Sequence, residues 1–188
     1  MRIISGTVRG RQLASFSGKE IRPTPDRVRE ALFSMLTSRL GSFNQLKVLE
    51  LFCGSGAQSL EAVSRGADSA TMIDSGRDAI ATASDNIKRC KFEDRTKLIK
   101  QDVYTAVESL TNNVPFDLIF IDPPYNQGHI PKVLKRIESL KLLANDGIIC
   151  AESAKGEDPS NDTSLTQLDS RVYGTTQIYL FGYTEDRT

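Results

Sequence analysis

The stretch "LKVLELFCGSGAQSLEA" (residues 46–62) joins an apolar run to a glycine-rich turn and then to a segment of helical composition. Gly54 and Gly56 allow the backbone to turn tightly and to approach a ligand closely. In α/β proteins, a loop of this kind at the carboxyl end of the first sheet strand binds adenosine cofactors. Ser59 stands where a dinucleotide fingerprint has its third Gly or Ala. Taken alone, the pattern also fits an ordinary strand–turn–helix.

Around this stretch, strand-like runs alternate with helical segments, which predicts a doubly wound α/β fold. The strand candidates are 46–52, 70–74, 96–102, 116–122 and 147–153, and the helical segments are 57–65, 77–91, 103–110 and 130–143. The final "RVYGTTQIYLFGY" (171–183) predicts a hairpin that adds an antiparallel strand. We therefore expect a seven-stranded, mostly parallel sheet whose last strand is antiparallel, with helices on both faces.

Two further segments flank these elements. "TPDRVREALFSML" (24–36) has helical apolar spacing, with Thr24 as a candidate cap and Pro25 at the first helical position. The polar segment 153–170 contains Gly, Pro and Asn and predicts a mobile surface loop.

Composition is ordinary for a globular protein, with 39% hydrophobic and 26% charged residues among 188. No apolar run approaches the roughly 20 residues of a membrane span, and the amino terminus lacks the apolar core of a signal peptide. Cys53, Cys90 and Cys150 are odd in number and have no metal-ligand spacing. These features predict a cytoplasmic protein with reduced thiols, no membrane association and no metal.

Charge is distributed unevenly although the net charge is zero. Residues 1–40 hold eight Lys/Arg and three Asp/Glu, which gives them +5 and leaves −5 for the other 148 residues. A basic end on an acidic body indicates an anionic partner. A solvated basic surface without a partner explains the same charge pattern equally well.

Three acids are candidate cofactor ligands. Asp74 ends the second strand, where an acid can accept hydrogen bonds from both hydroxyls of a ribose in either NAD or S-adenosylmethionine. Asp102 ends the third strand and can accept the adenine amino group, although strand-end acids are also common in solvated turns. Glu50, within the first strand, would repel a pyrophosphate and suits a cationic cofactor.

The fourth strand ends in "FIDPPY" (120–125), which combines an acid, two rigid residues and an aromatic ring. An exocyclic amine of a nucleobase is a poor nucleophile, so a site that methylates it needs hydrogen-bond acceptors and a surface for the base. Asp122 and the Pro123 carbonyl supply acceptors, Pro124 restricts the turn, and Tyr125 supplies a stacking face. The alternative is a strand terminator with Asp122 as a turn residue.

The combined motifs resemble the amino-methyltransferase group of S-adenosylmethionine-dependent enzymes, with a Rossmann-like class I fold. Together with "MRIISGTVRGRQL" (1–13), "IRPTPDRVREALFSML" (21–36) and "VLELFCGSGAQSLEAVSRGA" (48–67), "FIDPPY" looks like the RsmD family. Members of that family methylate the exocyclic N2 of a guanine in small-subunit (16S) ribosomal RNA. The resemblance spans nearly the whole chain.

The resemblance implies a role for each group of motif residues. The cofactor loop would be formed by Glu50, Phe52, Gly54 and Gly56, with Asp74 on the ribose and Asp102 on the adenine. Closure over the methionine end would come from Arg22, Thr24 and Arg29. The guanine would be held by Asp122, Pro123, Pro124 and Tyr125, and RNA phosphates by Arg2, Arg9 and Arg11.

The same resemblance implies the organisation and the partners. Residues 1–40 would be a basic extension packed on a methyltransferase core of residues 41–188, in one domain and as a monomer. The product would be S-adenosylhomocysteine, and 16S rRNA would be bound either naked or in a small-subunit particle. Gly76 replaces an acid that the family often has, which predicts a less enclosed cofactor edge.

Two alternatives stay open at this point. An adenine-N6 methyltransferase acting on DNA or RNA would share the cofactor loop and "DPPY", although such DNA enzymes usually carry a separate target-recognition domain. A nicotinamide oxidoreductase would share the glycine loop and Asp74 but gives no reason for "DPPY".

Overall fold

Strands and helices alternate along most of the chain in the computed structural model, which describes residues 1–15, 26–112, 115–157, 159 and 163–183. The helices are α1 (Asp26–Leu40), α2 (Ala57–Ser64), α3 (Arg77–Cys90), α4 (Val103–Glu108) and α5 (His129–Ser139). The strands are β1 (Lys47–Leu51), β2 (Ser69–Asp74), β3 (Thr96–Lys100), β4 (Phe116–Ile121), β5 (Leu143–Ala154), β6 (Thr166–Tyr173) and β7 (Thr176–Gly182). The predicted cap and first residue of α1, Thr24 and Pro25, lie outside the described residues.

The seven strands form one sheet in the order β3-β2-β1-β4-β5-β7-β6. β1 pairs in parallel with both β2 and β4, so the chain winds outward from β1 in two directions. β7 runs antiparallel to both of its neighbours. The predicted mostly parallel sheet with an antiparallel last strand is confirmed. Ligands of such sheets bind at the carboxyl ends of the strands where the winding reverses, which here is between β1 and β4.

Apolar side chains cover both faces of the sheet, as expected when helices pack on each side. On one face, α1, α2 and α3 contribute buried residues such as Phe33, Leu60 and Ile87. On the other face, α4 and α5 contribute residues such as Val107 and Leu134. Successive residues of β1 point to opposite faces, so Val48 joins the first cluster and Leu49 the second. None of the helices in the described ranges combines the length and hydropathy of a bilayer span.

The first 15 residues pack against the same face as α2. Arg2 and Gln12 form an antiparallel bridge, and Ile3 and Leu13 are buried in the first apolar cluster. We call residues 1–15 the amino-terminal hairpin. The division of the chain at residues 40 and 41 stays a prediction.

Several predicted boundaries are wrong. The predicted loop at 153–170 overlaps two strands, because Ser153 and Ala154 belong to β5 and residues 166–170 to β6. Hydrogen bonding to β7 stabilises these polar residues as strand, which their composition does not predict. Helix α5 ends at Ser139 instead of residue 143. Leu143 begins β5 opposite Phe116, since positive φ at Lys141 (52°) ends the helical path.

Candidate active site

Glu50 lies inside the sheet near the carboxyl end of β1 and is 3% exposed. Its Oε2 accepts a hydrogen bond of 2.9 Å from the backbone N–H of Ser59, in the first turn of α2. The orphan N–H groups at a helix start favour such an acceptor. Burial is nevertheless the largest influence and raises the pKa of Glu50 to about 7, with Asp74 adding to the rise.

Asp74 ends β2 and lies beside the glycine loop. Its Oδ2 accepts from the Gly54 N–H at 2.9 Å, and its Oδ1 accepts from the Gly76 N–H at 2.8 Å. The side chain is thereby oriented by two backbone donors, and each carboxylate oxygen keeps acceptor capacity for a ligand. Gly76, which departs from the family pattern, thus supports Asp74 through its backbone.

The loop between β1 and α2 depends on unusual backbone conformations. Phe52 has φ 60°, Gly54 has φ 53° and Gly56 has φ 73°. A Cβ at Gly56 would come within 2.9 Å of the Met72 Sδ, so a side chain there would be both strained and crowded. Positive φ at a bulky residue such as Phe52 is uncommon and is typical of functional loops.

A ring cluster that the sequence did not predict lies between this loop and α4. The Tyr104 Oη is 2.8 Å from Nδ1 of His129, and Nε2 of His129 is 3.1 Å from Oε1 of Gln127. The Phe52 ring centroid is 5.3 Å from that of His129. Burial, with a contribution from Asp102, raises the pKa of Tyr104. His129 is the first residue of α5, one position before the predicted start of that helix, and it contacts Phe52 of the loop after β1 and Tyr104 of α4.

Asp102 lies in the turn between β3 and α4, whereas the sequence placed it at the end of a strand. It is the N-cap of α4, and its Oδ1 accepts from the Thr105 N–H at 3.1 Å. The strand ends two residues before the predicted end, because Asp102 adopts the backbone conformation of a helix cap and does not pair within the sheet. Asp102 is exposed, so its carboxylate can also contact a ligand.

The "DPPY" segment follows β4 directly. The Asp122 N–H donates to the Leu51 carbonyl at 3.4 Å, which joins this segment to the end of β1. Pro123 is buried, Pro124 is exposed and Tyr125 is 38% exposed. The Tyr125 ring therefore stands at the surface of the crevice, where a flat ligand can reach it.

A buried acid on β5, Glu152, is a site residue that sequence reasoning missed. The Tyr125 hydroxyl donates to its Oε1 at 2.7 Å and lies 3.3 Å from the Thr176 Oγ1. Burial, followed by the charges of Glu152 and Glu50, raises the pKa of Asp122 well above its usual value. The sequence could have indicated Glu152 in one way, since it is an acid within the apolar run "GIICAES" (147–153). Acids are rarely buried in a central strand unless they have a partner there.

Of the residues predicted to close over the cofactor, Arg22 and Thr24 lie outside the described residues. Arg29 is 1% exposed, and its Nη2 donates to the Arg2 carbonyl and, at 3.1 Å, to Asp26 Oδ1. Within the described part of the chain, its Nε and Nη1 have no hydrogen-bond partner. Burial lowers the pKa of Arg29, and the nearby carboxylates of Asp26, Glu61 and Glu50 oppose that change.

The three predicted RNA contacts all lie on the amino-terminal hairpin. Arg2, Arg9 and Arg11 are exposed, and Arg2 pairs with Asp26 at 3.6 Å. Arg9 and Arg11 line an open surface pocket of about 600 Å³ together with Arg89 of α3. Three guanidinium groups therefore surround this opening, and that of Arg89 pairs with Asp85 at 2.7 Å.

All three cysteines are buried, and burial raises the pKa of Cys53 and Cys150 far above the ordinary thiol value. Cys53 is therefore a neutral, inert thiol inside the loop. Among the described residues, no group of three or more His, Cys, Asp or Glu could hold a metal ion.

Known proteins share sequence with nearly the whole chain. A family model described as "conserved hypothetical protein 95" matches residues 1–182. Ribosomal RNA small subunit methyltransferase D of Buchnera aphidicola is 30% identical over 179 residues, which cover 95% of this chain and 91% of that protein.

Two solved structures share the fold of this chain. A conserved hypothetical protein of Streptococcus pyogenes is 32% identical and has a TM-score of 0.76, with 85% of this chain and 98% of that chain covered. An RNA methyltransferase of Salinibacter ruber, in complex with S-adenosyl-L-homocysteine, has a TM-score of 0.65 at 15% identity, with 89% and 97% covered, and shows the shared fold. The family match covers nearly the whole chain, so the protein belongs to the conserved hypothetical protein 95 family, which is the RsmD family that its motifs resemble.

Proposed function

We propose that the protein transfers a methyl group from S-adenosylmethionine to the exocyclic N2 amine of a guanine in 16S ribosomal RNA. The observation that carries this proposal is the adjacency of two acidic sites at the reversal of the sheet. Leu51 of β1 pairs with Ile121 of β4, so the loop after Glu50 and the "DPPY" segment open into the same crevice. The relative from Buchnera, a small-subunit rRNA methyltransferase by name, supports the coarser statement of an rRNA methyltransferase.

The donor set on one side of the crevice fits S-adenosylmethionine better than a nicotinamide dinucleotide. Glu50 and Asp74 are carboxylates, which attract a sulfonium or an ammonium group and repel a pyrophosphate. The Asp74 oxygens are suited to a ribose diol, and the ring cluster of Phe52, Tyr104 and His129 is suited to cover an aromatic base. The two unpartnered nitrogens of Arg29 are suited to the carboxylate of a methionine moiety.

The other side of the crevice fits a nucleobase amine. When bound, the cofactor supplies an electrophilic methyl group. Asp122 accepts a hydrogen of the amine and orients its lone pair, while Tyr125 stacks on the base and holds it flat. Much of the rate enhancement would then come from positioning, because Asp122 and Tyr125 would hold the amine in one orientation for methyl transfer.

The amino-terminal hairpin would hold the RNA. Arg9 and Arg11 are exposed and would bind phosphates, whereas Arg2 already pairs with Asp26. Phosphate contacts position the RNA without reading its sequence, so we assign target choice to the crevice.

Methylation of purified RNA tests this proposal. Tritiated S-adenosylmethionine should label 16S rRNA from cells that lack the protein, and digestion should recover the label as N2-methylguanosine. Label in N6-methyladenosine, or in DNA instead of RNA, would favour the adenine-N6 alternative. Asp122→Ala should nearly abolish labelling while S-adenosylhomocysteine still raises the melting temperature of the variant. Stabilisation by NADH but not by S-adenosylhomocysteine would instead identify an oxidoreductase.

A further inference from the structure

Glu152 lies beside Asp122 for a reason that the sheet register makes plain. Ile121 of β4 pairs with Ala151 of β5, so the residues that follow them, Asp122 and Glu152, are neighbours across the two strands. Glu152 is only 5% exposed. Asp122 is partly buried, and two neighbouring carboxyl groups shielded from solvent repel each other when both are ionised. Such a pair destabilises the folded state, so its place beside the proposed binding position of the substrate amine suggests a role in the reaction.

The same carboxyl group also contacts the aromatic ring of the site. The Tyr125 hydroxyl donates to Oε1 of Glu152 at 2.7 Å, and Thr176 Oγ1 lies 3.3 Å from the same hydroxyl. Tyr125 is the more exposed partner, at 38%, and sits on a loop. A buried acceptor on a central strand therefore fixes the tip of an otherwise exposed ring.

We propose that Glu152 is a positioning residue of the methyl-transfer site: it fixes the Tyr125 ring through its hydroxyl, and its charge makes Asp122 the proton acceptor for the methylated amine. This inference rests on the proposed function. As the N2 lone pair bonds to the methyl carbon, the carbon–sulfur electron pair stays on sulfur. The nitrogen then carries a positive charge, and its proton passes to the Asp122 carboxylate, which becomes a neutral carboxylic acid.

The surroundings of Asp122 suit this step. The groups that face it are Glu152 of β5, Glu50 of β1, the Tyr125 hydroxyl and the Cys150 thiol. Burial and the charges of Glu152 and Glu50 all raise the pKa of Asp122. A carboxylate with a raised pKa takes up a proton more readily, and an ordinary solvated aspartate would be a weaker base.

Two variants separate the two roles. Glu152→Gln keeps an oxygen that can accept from Tyr125 but removes the charge. In the pH profile of its single-turnover rate, the acidic limb should lie about one pH unit or more below that of the wild type. Its RNA affinity should stay within twofold of the wild-type value. Tyr125→Phe keeps the charge but removes the hydrogen bond, and should raise the RNA Michaelis constant several-fold without moving the limb. Glu157→Gln, the same change on a neighbouring segment, is the control and should leave the limb in place.

A titration of the protein alone keeps this inference distinct from the proposed function. Carboxyl carbon NMR should place the Asp122 transition at lower pH in Glu152→Gln than in the wild type, with no RNA or cofactor present. If the two transitions coincide, the inference is wrong even when 16S rRNA is methylated. If the Asp122 transition lies at lower pH in Glu152→Gln but no rRNA is methylated, the proposed function is wrong, while the electrostatic coupling between Glu152 and Asp122 is confirmed. Should Glu152→Gln not fold, Asp122→Asn must by reciprocity lower the Glu152 transition, and an unmoved Glu152 overturns the inference.

Discussion

Three carboxylates of the crevice differ in what they contact, and their chemistry differs accordingly. Asp74 accepts from two backbone N–H groups, Glu50 is buried against the start of α2, and Asp122 lies near two other acids. Backbone donors stabilise a charged carboxylate, whereas burial and like charges destabilise it. At the scale of single residues, the site thus contains two acids, Glu50 and Asp122, whose raised pKa values favour proton binding, and a third, Asp74, that backbone donors orient.

Asp74→Ala should weaken S-adenosylmethionine binding by about 1–3 kcal/mol, the usual loss when hydrogen bonds to a charged group disappear. Isothermal calorimetry measures the change directly. Asp78→Ala removes the same charge from the exposed first turn of α3 and should leave the affinity unchanged. An Asp74→Ala affinity equal to that of the wild type would remove Asp74 from the ribose site.

Glu50 should make the stability of the cofactor-free protein depend on pH. Its folded pKa of about 7 lies above the unfolded value of 4.5, so the folded state holds the proton more tightly between these values. Its contribution is therefore fully present below pH 4.5 and is lost as the pH rises through about 7. The loss should amount to at most about 3 kcal/mol.

Urea unfolding at pH 5 and pH 8 checks this expectation. Glu50→Gln cannot ionise, so its stability should fall less between the two pH values than that of the wild type. Asp122 also contributes to the loss of stability of the wild type between the two pH values, because its raised pKa acts in the same direction. Comparison of the two proteins cancels the part of the Asp122 contribution that does not depend on the charge of Glu50, and equal falls would show that Glu50 ionises freely in the fold.

The methylation activity of Tyr125 variants should depend on whether the aromatic ring is kept. Tyr125→Ala should reduce single-turnover methylation strongly at subsaturating RNA, since one base–aromatic stack contributes roughly 1–3 kcal/mol. Tyr125→Phe keeps the ring and should retain substantial activity, with the loss confined to RNA affinity. Equal inactivity of the two variants would instead show that the phenol hydroxyl takes part in the chemistry.

At the scale of elements, the amino-terminal hairpin depends on α2 for its position. Glu61, which is 0% exposed, accepts from the N–H groups of Ile4 and Ser5 at 2.7 and 3.0 Å. The Ser64 carbonyl accepts from the Thr7 N–H at 2.8 Å. Since the loop after β1 leads directly into α2, one helix positions both the hairpin and that loop.

Gly6→Ala should disrupt this contact. Gly6 has φ +86°, and a Cβ there would lie 1.8 Å from the Ser64 carbonyl oxygen. Gly10→Ala is a matched control, because Gly10 has φ +83° and open space around the added Cβ. Both variants carry the backbone strain of about 1–2 kcal/mol, so the additional loss in Gly6→Ala reports the contact.

The free energy of unfolding and the RNA Michaelis constant should be measured for both glycine variants. We expect Gly6→Ala to be the less stable and to raise the Michaelis constant more. If the two variants match in both quantities, the hairpin does not depend on its approach to Ser64.

At the scale of the whole molecule, the charge distribution separates a basic amino-terminal segment from the acidic crevice. Residues 1–40 carry +5 although the net charge is zero. Replacing both Arg9 and Arg11 with Ala should raise the RNA Michaelis constant. It should also reduce the slope of log affinity against log salt by roughly 1.5, because two phosphate contacts are lost.

Replacing Lys47 and Lys135 with Ala provides the matching control. Both side chains are exposed and the change in net charge is the same, but they lie on β1 and α5 instead of the hairpin. Their loss should change the salt slope little. Equal slopes for the two double variants would mean that RNA responds only to net charge, and the hairpin would then be an ordinary solvated surface.

Local patterns predicted most of the architecture. Apolar runs that end in Gly, Asp or Pro predicted the core strands from β1 to β5, and alternation with helical segments predicted the parallel sheet. These signals are readable because burial on both faces of a central strand requires continuous apolar residues. Glu50, Asp74 and "DPPY" were predicted as site residues for the same reason, since polar residues within or directly after such runs are conspicuous.

Only the folded chain identified the partners of those residues. Glu152 reaches Asp122 and Tyr125 because β5 pairs with β4 in one register, and His129 reaches Tyr104 across 25 positions of sequence. The strand character of residues 166–170 likewise depends on pairing with β7. Contacts between strands and loops are set by register and packing, which no local periodicity encodes, whereas strand and helix formation follow from neighbours along the chain.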